Sequence, residues 1–120
     1  MLNLGGTAQN RNLELGQITR ELRAIAKDFD VALYLGSQIN RDVEKRRNKR
    51  PTKADLRDSG EIAEAADAVI MLYRDAYYSK NPYDKTIEFI VDKNRIYGKV
   101  GTAKMLVNLE TSRFLPIGGV

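Results

Sequence analysis

The 120 residues include no cysteine and no histidine. The first absence excludes disulfide scaffolds, thiolate-ligated zinc and thiol nucleophiles. The second removes the commonest general base and metal ligand, so a Ser-His-Asp triad is impossible. Long apolar runs are missing as well: the longest, Ala68–Tyr73, has six residues, against the roughly 20 that a membrane helix needs. The opening Met-Leu-Asn-Leu-Gly-Gly has neither the charged start nor the apolar stretch of a secretory signal. A phosphate loop is also absent. Gly98-Lys99-Val100-Gly101-Thr102 uses its letters, but Lys99 is followed by Val100 and no glycine stands five residues before Gly98. The spacing Gly-x-x-x-x-Gly-Lys-Ser/Thr is what wraps backbone amides around a phosphate. No apolar strand ends in the aspartate that would hold Mg²⁺ beside such a loop; Val91-Asp92 is the nearest and suits a hairpin better.

What is present is a balanced composition with one basic segment. The chain has 42% hydrophobic residues, enough for one ordinary core, and 20 bases against 16 acids. Residues 41–50 hold six bases and two acids and so carry the whole net charge of +4. That segment contains no aromatic residue. It can attract phosphates without reading sequence, but it offers no platform for stacked bases. It also lacks an apolar face, which predicts a solvated loop. The whole reads as a soluble intracellular single domain with no membrane partner.

Periodicity supplies the elements. Residues 1–11, rich in Gly, Asn and Thr, read as a loose leader. Leu15, Ile18, Leu22, Ile25, Ala26 and Phe29 recur at three and four, which predicts a helix over 12–29. Residues 31–35, Val-Ala-Leu-Tyr-Leu, form a continuous apolar run after that helix. They read as a buried strand of a parallel sheet, with Ala68–Tyr73 as a second. Between them, 61–67 is a short helix that Asp58 or Ser59 can cap. Residues 74–83 are Tyr-rich and broken by the turn signal Asn81-Pro82. Residues 85–93 and 102–110 predict an antiparallel hairpin joined by the glycine-containing 94–101, and 113–116 a last edge segment. The expected class is α/β, with parallel strands giving way to a C-terminal antiparallel hairpin.

Three constellations have chemical reach, and each also has an ordinary structural reading. Gln38 follows a strand end, where open α/β sheets bind ligands; it can equally serve as a polar loop exit. Arg57 with the amides of Ser59 and Gly60 opens a helix and can seat a phosphate; Asp55-Leu-Arg-Asp-Ser-Gly60 can equally be a plain capped start. Lys93 and Arg95, at alternate positions near a strand end, can reach one anionic group, Arg through a fork and Lys as a point charge. A solvated hairpin end is the alternative.

The order of these signals is more specific than any one of them. Ser-Gln-Ile-Asn-Arg, a basic stretch closing in Lys-Arg-Pro, Asp-Leu-Arg-Asp-Ser-Gly-Glu-Ile, Ala-Asp-Ala-Val-Ile-Met-Leu-Tyr-Arg-Asp and Lys-Asn-Arg-Ile-Tyr-Gly-Lys-Val-Gly follow one another. This series resembles the C-terminal half of the RecA-like motor domain of DnaB-type replicative DNA helicases, from about residue 10 to residue 114. The resemblance implies a partial RecA-like sheet in a fragment of a hexameric, ATP- and Mg²⁺-dependent enzyme that moves along single-stranded DNA in a bacterial or phage-infected cytoplasm. It implies that Gln38 links the γ-phosphate site to the DNA loops. Arg57, Asp58, Ser59 and Gly60 would hold the DNA backbone, with Asp58 where the family usually has Glu. Lys93 and Arg95 would reach a neighbouring subunit's ATP, Arg95 as the arginine finger. The phosphate loop and the Mg²⁺-holding strand would lie upstream, so the isolated chain is expected to be inactive. Two rivals remain: a non-catalytic basic module that binds nucleic acid, and a fragment of a RecA- or RadA-type recombination ATPase.

Overall fold

The computed structural model describes residues 8–56 and 60–118. The chain divides into two compact units, Met1–Ala66 and Asp67–Val120.

The first unit is built on α1 (Ala8–Asp28) and the short α2 (Gly60–Ala65). The helix begins earlier than the expected leader allows, because Ala8, Gln9 and Arg11 are good helix formers with no glycine or proline among them. It ends on a left-handed residue. Asp30 has φ 52°, Val31 donates its amide to Ala26 at 3.0 Å, and Asp30 donates to Lys27 at 3.3 Å. This is the paired closure that satisfies a helix's last carbonyls. Gly16 on α1 is buried against Glu61 of α2, where a Cβ would meet the Glu61 carboxylate. Arg23 donates to the Ala65 carbonyl at the C-terminus of α2, and Arg20 lies 3.6 Å from Glu61.

Residues 31–38 correct the sequence reading. They form no strand, and Val31, Leu33, Tyr34 and Leu35 are all exposed. An apolar run becomes a strand only when neighbours pair its backbone groups, and among the described residues no strand pairs with this one.

The basic segment is largely exposed, as a solvated loop should be, but it has an apolar anchor that was not expected. Residues 41–45 form a 3₁₀ turn capped by Asn40, and Val43 is the most deeply buried large side chain, 1% exposed. The segment expected to lack an apolar anchor is therefore anchored by one buried β-branched side chain.

The second unit is a four-stranded sheet of β1 (Ala68–Tyr73), β2 (Thr86–Asn94), β3 (Gly101–Asn108) and β4 (Arg113–Pro116), in the order β1-β2-β3-β4. Every pairing is antiparallel. The expected hairpin and the edge segment with Pro116 are present. The parallel part is not found among the described residues, and β1, expected as a central, fully buried strand, lies at the edge of this sheet. Its burial alternates: Val69, Met71 and Tyr73 are buried, while Ile70 and Leu72 are exposed. On β2 and β3, Ile87 and Val107 are buried, and Phe89 meets Phe114 of β4 edge to face at 5.3 Å. Between β1 and β2 runs α3 (Asp75–Ser79), which ends on the left-handed Lys80. The Asn81 side chain then accepts from the Tyr83 amide and makes the expected turn.

Candidate functional site

The two cations of the hairpin are placed by strand register. β1 and β2 run Tyr73↔Glu88, Leu72↔Phe89, Met71↔Ile90 and Ile70↔Val91, then shift so that Val69 faces Lys93 and Ala68 faces Asn94. Asp92 is the extra residue of this bulge. A bulge adds twist and re-aims the side chains beyond it. Here it moves Lys93 onto the face of Val69, Met71 and Tyr73, where unbroken alternation would have set it with Val91. Continuing the same register puts Arg95 opposite Asp67. The Arg95 amide donates to the Asp67 carbonyl at 2.8 Å, and its guanidinium donates one nitrogen to Asp67 Oδ1 at 3.1 Å. Both side chains are about half exposed, 46% for Arg95 and 58% for Asp67.

Beyond Arg95 the chain turns back through a tip that Asn94 organises. Its carbonyl accepts from Gly98 at 2.8 Å and its side chain from Tyr97 at 3.2 Å. Gly98 takes φ 69°, a left-handed conformation for which glycine is suited. Ile96, Tyr97 and Val100 at this tip are all exposed. The result is a protruding apolar tip with an arginine at its root.

The first unit carries a different arrangement. Ile39 and Leu56 form an antiparallel bridge, and the Asn40 amide donates to the Asp55 carbonyl at 2.6 Å. Inside this closure, Arg46 grips Asp55 with both ends of its fork, at 2.9 and 2.7 Å. Arg46 also donates to the Arg50 carbonyl, and the Thr52 amide donates to Asp55 at 2.8 Å. The hydrogen bonds from Arg46 are the main cause holding the Asp55 carboxyl below its ordinary value. They outweigh the burial that opposes them, and Thr52 adds to the effect. Arg41, Lys45 and Arg47 stand exposed on this pinned frame.

Gln38 lies in the exposed stretch just before the Ile39 bridge, and Gly60 is the first residue of α2. Arg57, Asp58 and Ser59, and with them the expected cap, lie outside the described residues. Lys93 and Arg95 share one hairpin, as their spacing suggests. Asp67 escaped the sequence reading, and Asp55 entered it only as part of a helix start, not as the partner of Arg46. Asp67 becomes visible only once β1 is paired antiparallel with β2, because that register alone sets it across from Arg95. Among the described residues, no group of three or more carboxylates is placed to hold a metal, and no helix is long and apolar enough to cross a membrane.

Comparison with known proteins gives one consistent result. Residues 1–116 match the family described as the DnaB-like helicase C terminal domain. The chain is similar to the replicative DNA helicase DnaB of Pasteurella multocida, with 40% identity over 115 residues, covering 95% of this chain and 24% of that protein. It is also similar to DnaB of Geobacillus stearothermophilus, with 41% identity over 112 residues, 92% of this chain and 24% of that protein. Among solved structures, a DnaB-like replicative helicase studied with its interactions with primase superposes with a TM-score of 0.84 at 35% identity, covering 97% of this chain and 27% of the other. The chain therefore spans about a quarter of the length of the curated relatives it matches.

Proposed function

The chain belongs to the DnaB-like helicase C-terminal domain family, and on that footing we propose that it is one domain, the C-terminal half of a RecA-like motor. In this reading it serves a ring, a homohexamer, that couples ATP hydrolysis to movement along single-stranded DNA and opens the duplex in the bacterial or phage-infected cytoplasm. Its contribution is the trans half of an ATP site. Arg95 is the finger that stabilises charge developing on the transferred phosphoryl group, Lys93 adds a second cation, and Gln38 connects the γ-phosphate to the DNA side. Arg57, Asp58, Ser59 and Gly60 hold the DNA backbone.

The observation that carries this reading is the hairpin root. Arg95 is half exposed and sits beneath an exposed apolar tip. Exposed apolar tips of this kind suit insertion into a neighbour. The sequence has no phosphate loop, and the described residues have no metal-binding carboxylate cluster. In this reading ATP and Mg²⁺ are held by other parts of the ring.

The isolated 120 residues should therefore show no steady ATP turnover. A chimeric subunit, in which this chain replaces the matching segment of a DnaB-type relative, should turn over ATP and lose that activity on Arg95→Ala. Turnover by the isolated chain that Arg95→Ala abolishes would overturn the proposal.

A further inference from the structure

We propose that the stapled segment 39–56 is a second nucleic-acid contact, on which Arg41, Lys45 and Arg47 hold the phosphate backbone of duplex DNA. It uses residues other than 57–60, and it rests neither on Arg95 nor on ATP turnover.

The charge on this segment is concentrated and held in place. Residues 39–56 contain seven bases and three acids, a net +4, while the other 102 residues contain 13 of each sign. Arg46 and Asp55 neutralise each other through the fork, so the excess falls on the other bases. Like charges this close repel, and the repulsion works against a compact loop. A merely solvated basic stretch relieves it by staying loose. Here the fold does the opposite. Val43 is buried, Ile39 bridges Leu56, Arg46 donates to the Arg50 carbonyl at 3.1 Å, and Lys49 Nζ donates to the Arg46 carbonyl at 3.0 Å. Cations kept together against their own repulsion are prepared for an anion, because less order has to be imposed when it binds. Arg41, Lys45 and Arg47 are exposed on this frame. The ion pair of Lys45 with Asp42, at 3.8 Å between side chains 83% and 75% exposed, is of the weak surface kind that yields to a phosphate.

The occupant follows from what accompanies the charge. Single-strand sites combine a basic groove with aromatic side chains that stack the bases, and residues 39–56 contain no aromatic. The two asparagine side chains accept from the backbone instead, Asn40 from the Asp42 amide and Asn48 from the Arg50 amide. Duplex DNA presents a regular row of phosphates, about one charge per 1.7 Å of axis, and needs no stacking partner. Contacts of this kind position a duplex without reading its sequence.

The test titrates the 120-residue chain into a fluorescent duplex of about 20 base pairs, and into a single strand of equal length, over a range of salt. Replacing Arg41, Lys45 and Arg47 together by glutamine should weaken duplex binding at least about tenfold at ~50 mM salt. It should also flatten the log–log salt slope by about 2.7, roughly 0.9 per lost phosphate contact. Val43, Arg46 and Asp55 stay in place, so the urea midpoint should hold. Asp42→Asn combined with Glu44→Gln should tighten duplex binding about threefold or more, a gain that misfolding cannot imitate. Arg57→Ala should leave duplex affinity within about twofold, which separates this surface from the loop at 57–60. Unchanged duplex affinity and slope in the triple variant, or no gain in the Asp42→Asn, Glu44→Gln chain, would overturn the proposal. So would a single strand that binds more tightly than the duplex and takes the loss, or a duplex affinity that depends on Arg57 alone.

Discussion

Two arginines each face an aspartate, and the two pairs differ in how far solvent reaches them. Arg46 meets Asp55 with both ends of its fork, and Asp55 is only 13% exposed. Arg95 donates to Asp67 Oδ1 at 3.1 Å, and both side chains are about half exposed. The first pair sits inside a loop closed by the Ile39–Leu56 bridge and anchored by Val43, so its geometry is fixed from several sides. The second sits where β1 begins and β2 ends, held by one strand register. Water and salt reach it freely, which limits its strength. The same two residue types thus form a sheltered staple in one place and a solvent-exposed pair in the other. What decides the outcome is how many other contacts already fix the backbone.

The largest effect expected from this contrast is at the exposed arginine. Arg95→Ala in the chimeric ring should cost on the order of 10³-fold or more in kcat, the range typical of arginine fingers. Arg46→Ala in the same ring should leave kcat within about twofold, since it acts on the loop rather than on phosphate. Near-equal losses in the two variants would erase the distinction.

On the stapled side, Val43→Ala should destabilise the first unit by about 2 kcal/mol, from two buried methyl groups and the cavity they leave, read by urea unfolding of the 120-residue chain. Asp55→Asn should have a smaller effect, visible as faster hydrogen exchange at the Asn40 and Leu56 amides. That effect depends on pH with a definite sign. Folding lowers the Asp55 pKa from 3.8, so the pair adds stability above that value, and the contribution is lost as pH falls through the lowered one. The difference in urea midpoint between the native chain and Asp55→Asn should be constant above about pH 5 and shrink below it. The smallest effect is salt. Raising ionic strength should loosen the Arg95 side chain more than that of Arg46, measured by ¹⁵N relaxation at the two Nε positions.

Local elements were legible where local chemistry decides them. The stripe from Leu15 to Phe29 predicts α1, and the alternation with glycines at 98 and 101 predicts the β2–β3 hairpin. The spacing of Lys93 and Arg95 puts both on one hairpin, while their roles come only from the family resemblance. Pairing partners were not legible. Residues 31–35 and Ala68–Tyr73 carry nearly the same apolar signal, yet the first is unpaired and exposed and the second is an edge strand. A continuous apolar run states a need for neighbours without saying which ones. Asp67 was hidden for the same reason: expecting β1 in a parallel sheet puts nothing across from Arg95. The order of Val43 and Arg46 was obscured by charge, since six bases in 41–50 outweighed one buried valine in the reading of that segment.

Complementation in mixed rings tests the central claim most directly. One chimeric subunit carries Arg95→Ala with an intact phosphate loop from the relative; the other keeps Arg95 but has the phosphate-loop lysine replaced. Each alone should be inactive. If Arg95 acts on a neighbour's ATP, mixing the two should restore turnover, at interfaces where an intact phosphate loop meets an intact Arg95. No recovery on mixing, with mixed rings confirmed by mass, would contradict the account.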